Sequence, residues 1–241
     1  MIRIDALEKA FGPLDVLKGV DMNLRRGRAT AIVGPNASGK TTLIKAILGL
    51  VRPDAGTVYV GDQALDGDWE YRARIGYMPQ AAPFPDNLTG DELLAMLQDL
   101  RREEARDREL IHAFRLEEEL AKPLRTLSGG TRQKVNAVAA FLFDPEILIL
   151  DEPSAGLDPV SSGILKGKIE RARDHGRTVL VTSHNMGELE EIADDIVFLL
   201  EGRIRFDGSL DELRRRTGRT GLERAIAHLM LEQDEHGERV A

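Results

Sequence analysis

Cysteine is absent from the 241 residues. That excludes disulfides, zinc-thiolate sites and cysteine nucleophiles, and it fits a reducing compartment. Long apolar runs are absent as well. The longest, such as Ile196 to Leu200, fall far short of the roughly 20 residues a spanning helix needs. The opening residues Met1-Ile2-Arg3-Ile4-Asp5 lack the basic start and apolar stretch of a signal peptide, so the expectation is a protein made and kept in the cytosol. An excess of positive charge is also missing. With 33 Lys and Arg against 41 Asp and Glu, the net charge is −8, which argues against broad nucleic-acid binding. The basic cluster Arg214-Arg215-Arg216 reads as a solvated helix face. Neither an internal repeat nor a low-complexity linker breaks the chain.

What is present is a globular composition, 42 % hydrophobic, long enough for one sizeable core or one domain with an inserted lobe. Two strand patterns occur. Residues 2–7 and 20–25 alternate apolar and polar, and Thr57 to Val60 runs into Gly61-Asp62. These pieces predict a small antiparallel sheet. Residues 31–33, 147–150, 178–181 and 196–200 are short apolar runs, three of them leading into helical stretches, as in a buried parallel sheet. From about 81 to 145 the reading is mainly helical. Thr89 and Glu92 form a capping box, with Leu88 and Leu93 as its staple. That helix should reach about Leu100. The fold class is therefore α/β: a core with a parallel sheet, an antiparallel β subdomain and an inserted helical subdomain.

The first chemical site is Gly34-Pro35-Asn36-Ala37-Ser38-Gly39-Lys40-Thr41-Thr42, a phosphate-loop pattern. Glycines let successive backbone N–H groups turn inward around phosphate oxygens. A helix from about Lys40 presents the positive end of its dipole to the same anion. Lys40 reaches the outer phosphates and the Thr41 hydroxyl ligates Mg²⁺. Chance supplies such a match on the order of once per hundred chains of this size, but here an apolar strand precedes it and a helical pattern follows. The second site is Ile147 to Leu150 ending in Asp151-Glu152. A buried strand delivers two carboxylates at its C-terminal end, where α/β sheets hold ligands. Asp151 would hold Mg²⁺ and Glu152 would polarise an attacking water. The third is Leu127-Ser128-Gly129-Gly130-Thr131-Arg132-Gln133. Ser128 is a good N-cap, and Val135, Val138, Ala139 and Leu142 give the following helix a buried stripe. The helix end then points outward, at an anion its own chain does not supply.

Together these segments resemble the ATP-binding subunits of ABC transporters, over roughly residues 1 to 210 and in the family's order. Leu127-Ser128-Gly129-Gly130 matches the signature, with Thr131 where Gln is usual and Ala37 where Gly is frequent in the phosphate loop. The resemblance implies a P-loop NTPase core, with ATP and Mg²⁺ as cofactors. It implies an ATP-bridged pair, expected to be a homodimer, in which the signature of one subunit meets the γ-phosphate held by the other. It also implies an integral membrane permease as partner, no nucleic acid, and a peripheral place on the cytoplasmic face of the membrane. Residue by residue, Gln80 matches the Q-loop glutamine, a Mg²⁺ ligand; His184 the switch histidine; Ser154 to Asp158 the D-loop; and Phe11 the ring that stacks on adenine. A core role for Phe11 is the rival reading.

The segment after Gln80 (Pro85, Leu88-Thr89, Glu92-Leu93) and the stretch Phe206 to Leu213 with Gly221-Leu222-Glu223 resemble ABC-2-type exporter ATPases. That group includes drug-export ATPases and the copper-processing ATPase of nitrous-oxide reductase maturation. A soluble ABC-type ATPase not coupled to transport is the alternative; its usual marks, two motif sets or a long coiled coil, do not appear. The expected organisation is one ATPase domain over 1–231. Its helical subdomain covers about 81–145 and a C-terminal helical extension about 209–231, where Ser209 and Glu212 form a capping box and Leu222, Ile226, Leu229 and Met230 a packed stripe. Residues 232–241 read as a disordered tail.

Overall fold

A computed structural model describes residues 2–237, the last five as backbone only. In chain order the elements are β1 (Ile2–Phe11), β2 (Leu14–Leu24), β3 (Ala29–Val33), α1 (Lys40–Ile47), β4 (Ala55–Val60) and β5 (Gln63–Ala64). Then come β6 (Ile75–Met78), α2 (Gly90–Arg101), α3 (Glu109–Ala113), α4 (Gly129–Phe141), β7 (Ile147–Asp151), α5 (Pro159–Asp174) and β8 (Thr178–Thr182). The chain ends with α6 (Met186–Ile192), β9 (Asp195–Leu200), β10 (Arg203–Ser209), α7 (Leu210–Thr217) and α8 (Leu222–Gly237). They fall into two compact units, one from residues 1–68 and 182–241, the other from 69–181.

The first unit holds the antiparallel sheet, in the order β2-β1-β4-β5. Its strands are longer than the alternation of residues 2–7 and 20–25 indicates. β1 and β2 continue as a hairpin to the pair Phe11–Leu14, where the side chains are exposed and the period-2 signal fades. A bulge separates the two parts of β1: the register shifts between Ile4 and Leu7, and Ala6 takes a φ of 46°. Such an extra residue bends and twists the strand. The same unit holds β3 parallel to β9 and β10 antiparallel to β9. Every residue of β3 is buried, so its sequence reads as a continuous apolar run. Asp195 at the head of β9 is buried, and Arg25 and Arg28 each pair with it at 2.6 Å. The two guanidiniums compensate a carboxylate that would otherwise be costly to desolvate.

The C-terminal helices belong to this unit. α7 opens with the expected capping box, Ser209 N donating to Glu212 at 2.7 Å and Glu212 N to Ser209 Oγ at 3.2 Å. In α8, Leu222, Ile226 and Leu229 are buried, whereas Met230 sits at the exposed margin of the stripe. The helix continues through Gly237, past the point at which polar composition predicts a disordered tail; residues 238–241 lie outside the described residues. In the basic cluster, Arg214 is engaged with Glu190 at 2.7 Å and with Asp211.

The second unit is built on β6 and β7, which run parallel with Ile75 opposite Ile147 and Met78 opposite Leu150; β8 lies beside β7. α2, α3 and α4 occupy the stretch 81–145, but the compact unit around them is larger and includes these strands. α2 starts at the expected capping box, with Glu92 N donating to Thr89 Oγ1 at 3.1 Å, and ends at Arg101. α4 lies directly on β6. A Cβ added to Gly76 would stand 2.1 Å from the Ala140 carbonyl, so only glycine permits that approach. α4 is buried on more than a stripe: Val135, Val138 and Leu142 are joined by Gln133, Asn136, Ala137, Ala140 and Phe141, and Ala139 is only half-buried. The two buried amides among them are the first sign that this helix does more than pack.

Candidate functional site

The phosphate loop leaves the end of β3 and enters α1. Gly34 passes so close to β9 that an added Cβ would lie 2.1 Å from the Leu199 carbonyl. Gly39 has φ 109° and caps α1 without any side-chain hydrogen bond. The first turn of α1 carries no acidic residue. Its leading N–H groups therefore lack a side-chain acceptor at the cap, which suits an anion. Ser38 is buried and its Oγ has no hydrogen-bond partner, an orphan of the kind a ligand satisfies. Lys40 Nζ donates to the Gly34 and Pro35 carbonyls at 2.7 and 2.9 Å, which folds the ammonium back over the loop. Ala37 occupies φ 63°, a conformation glycine adopts freely and alanine does not. Pro35 is half-buried, Asn36 and Thr41 are exposed, and Thr42 is intermediate.

In the same unit Phe11 is 50 % exposed at the tip of the β1–β2 hairpin, with Lys9 Nζ 5.3 Å from its ring. It is not a core residue; the ring is accessible for stacking. His184 is exposed in the turn between β8 and α6. Its neighbours fix that turn: Asn185 N donates to Ser183 Oγ at 3.0 Å, Glu188 N to Asn185 Oδ1 at 3.2 Å, and Ser183 Oγ to the buried Glu188 at 2.9 Å.

The second unit gathers the remaining candidates. β7 is buried throughout and ends at Asp151, itself 8 % exposed. Burial, and then the negative charge of Asp151, push the Tyr77 phenol up from its ordinary value. Glu152 follows with φ 52°, a left-handed backbone that turns the chain off the strand. Gln80 is exposed after β6. Asp151, Gln80 and the Thr41 hydroxyl are all oxygen donors, the type a hard divalent cation takes alongside phosphate oxygens.

Ser128 caps α4: its Oγ accepts from Thr131 N at 3.1 Å and lies 2.8 Å from Thr131 Oγ1. Ser128 and Gly129 are exposed, and no acidic residue occupies the first turn. Gly130 faces the turn after Glu152, where a Cβ would stand 2.9 Å from the Gly156 carbonyl. Beyond that turn Asp158 caps α5 through Ser161 N at 2.9 Å and pairs with Lys134 of α4 at 3.2 Å. The Ser161 hydroxyl, that amide and Lys134 hold the Asp158 carboxyl well below the usual range.

Two side chains to which the sequence assigns no individual role complete this side. Gln133 and Asn136, both buried, hydrogen-bond to the carbonyls of Glu152, Pro153 and Pro79. The only sequence signal for them is an amide pair on the inward face of an otherwise apolar helix.

Comparison with known proteins meets these motifs from outside. The family model described as ABC transporter matches residues 17–155. The daunorubicin resistance ATP-binding protein DrrA3 of Streptomyces coeruleorubidus is 36 % identical over 223 residues, covering 90 % of this chain and 71 % of that protein. A solved ATP-binding subunit of an ABC transporter superposes with a TM-score of 0.88 at 31 % identity, covering 95 % of this chain and 99 % of that one. A dimeric ATP-binding cassette in a post-hydrolysis state, bound to ADP and phosphate, shares the fold with a TM-score of 0.78 at 23 % identity, covering 87 % and 99 %.

Proposed function

The chain belongs to the ABC transporter family as an ATP-binding, ATP-hydrolysing subunit, and from that premise we propose that it works as a homodimer closed by ATP and drives a separate membrane permease of the ABC-2 exporter type. The observation that carries the pairing is the N-terminus of α4. It is exposed at Ser128 and Gly129 and free of acidic residues in its first turn, and such an end attracts a phosphate. In the pair, that phosphate is the outer one of the nucleotide held by the partner's loop.

Within each subunit the loop Gly34 to Thr42 and Lys40 bind and neutralise the phosphate chain. Phe11 stacks on the base. Glu152 and His184 orient the water in line with the terminal phosphate, and closure around them excludes other water. Magnesium, when bound, neutralises charge on the β- and γ-phosphates; Thr41, Gln80 and Asp151 are the residues suited to hold it. Loss of the terminal phosphate removes the bridge between subunits, and the opening is passed to the permease near Gln80 to Leu88. Among the described residues no helix is long and apolar enough to cross a membrane; in this reading the permease supplies the membrane-spanning segments and this subunit sits at its cytoplasmic face. The drug-resistance role carried in the name of the Streptomyces relative supports an exporter.

Ser128→Arg tests the pairing. It should leave nucleotide binding by the monomer intact and abolish hydrolysis, read by equilibrium binding and steady-state ATPase; full activity would remove the shared site. Purification from gently solubilised membranes should bring an integral membrane protein with the chain. Its absence would favour an ATPase uncoupled from transport.

A further inference from the structure

We propose that Gln133 is a positioning residue for Glu152, and that Asn136 ties the same hydrogen-bond network to the segment entering Gln80. The proposal rests on the reading of Glu152 as the group that orients water. Glu152 holds φ 52°, a left-handed conformation that is unfavourable for a residue with a Cβ. Such a conformation persists only where its surroundings over-determine it. Within the turn, Ala155 N donates to the Glu152 carbonyl at 3.1 Å. Support from outside the turn comes from Gln133, whose Nε2 donates to the Glu152 carbonyl at 3.3 Å and to the Pro153 carbonyl at 3.1 Å.

Those two acceptors fix the carboxamide. Both hydrogens of Nε2 face the turn, so Oε1 faces away. There it meets Nδ2 of Asn136 at 3.4 Å. The other hydrogen of that Nδ2 goes to the Pro79 carbonyl at 2.8 Å. Pro79 is joined to Gln80. A continuous chain therefore runs from the residue before Gln80, through two side chains of α4, to the peptide that aims Glu152.

Asn136 is 1 % exposed and its Oδ1 has no partner. An unsatisfied buried acceptor is a penalty that an aliphatic residue of similar volume would avoid. What the amide provides in return is its two donors, and both are used in this chain. α4 is a firm base for it, since Gly76 and Ala140 bring helix and strand backbones into direct contact. A displacement of the Gln80 segment consequently reaches Glu152 through hydrogen bonds and not through loop backbone alone.

The test uses the purified full chain with steady-state ATPase, nucleotide binding and thermal melting. Gln133→Met keeps the length and apolar packing and removes both donors. Its kcat should fall about tenfold to hundredfold, with KM for ATP unchanged. If that variant fails to fold, Gln133→Glu, which likewise cannot donate to either carbonyl when ionised, carries the same test. Asn136→Asp should lower kcat by a smaller factor, again without a change in KM. In a Glu152→Gln background, Gln133→Met should add no further loss to the residual single-turnover rate, because the carboxylate it positions is already gone.

A folded Gln133 variant with wild-type kcat, or one that adds its loss in the Glu152→Gln background, overturns the proposal alone. Wild-type kcat in Asn136→Asp overturns the link to Gln80. Wild-type turnover in Glu152→Gln itself overturns the reading of Glu152, and the proposal with it.

Discussion

Two helix N-termini in this molecule are suited to phosphate, and they are built in opposite ways. The end of α1 is capped by Gly39 with no side-chain hydrogen bond, and Ser38 and Gly39 beneath it are buried. The end of α4 is capped by Ser128, whose hydroxyl takes the Thr131 amide, and it is exposed. The first end leaves its donors to a ligand and surrounds them with loop, a basic side chain and close-packed glycines. The second satisfies part of its own need and presents the rest outward. An end of the first kind binds phosphate by itself. An end of the second kind is stable without phosphate and meets it only when something is brought against it, which is what a site shared between two copies requires.

The largest effect that tests this contrast is expected at Lys40. Lys40→Ala removes the ammonium that bonds the Gly34 and Pro35 carbonyls and the positive charge offered to the outer phosphates. Nucleotide binding by the isolated subunit should weaken, and hydrolysis should fall by roughly 10²–10³-fold. Isothermal titration with a non-hydrolysable ATP analogue separates the two. Unchanged binding in this variant would mean that the α1 end is not the primary cradle, and the contrast with Ser128→Arg would collapse.

A smaller effect is expected at Gly130, on the other end. Gly130→Ala should improve local helix propensity by up to about 1 kcal/mol, yet its Cβ would stand 2.9 Å from the Gly156 carbonyl and push that turn outward. The expectation is a stability near wild type, unchanged monomer nucleotide binding and a kcat lower by roughly tenfold, since small misplacements at a catalytic turn are expensive. Loss of binding in the same variant would show that the two ends are not independent.

Much of this was legible in residues. The phosphate loop, the strand ending in Asp151-Glu152 and the Ser128 cap each announce themselves because a local sequence carries a local geometry: a glycine-rich turn, an apolar run, a capping residue. Both capping boxes, at Thr89 and Ser209, are of this kind. What stayed hidden depends on partners distant in sequence. Gln133 looks like any polar residue in a signature until its amide is seen against Glu152 and Pro153. Gly76 reads as a weak spot in a strand until Ala140 is seen on top of it. The tip of the β1–β2 hairpin, residues 10–15, has no buried face to impose alternation, and the extent of the unit around α2 to α4 is set by packing on β6 and β7 rather than by composition.

The smallest effect sharpens the comparison at Ala37. Ala in place of a frequent Gly at position 37 suggests a stiffer loop that still binds. The backbone there is at φ 63°, so the alanine is held in a conformation that disfavours its own Cβ by about 1–2 kcal/mol. Gly at this position regains that strain and loses about 0.4–1 kcal/mol through the freer unfolded chain. The balance predicts that Ala37→Gly stabilises the protein by about 0.5–1 kcal/mol, a rise in Tm of a few degrees at most for a chain of this size. Differential scanning calorimetry on the nucleotide-free protein measures it. A fall in Tm would mean that position 37 is not left-handed in solution, and that the α1 cradle is assembled by nucleotide rather than waiting for it. A rise would place the strain in the loop before ligand arrives, and would make the α1 end a cradle that stands ready without a second copy, whereas the α4 end needs one.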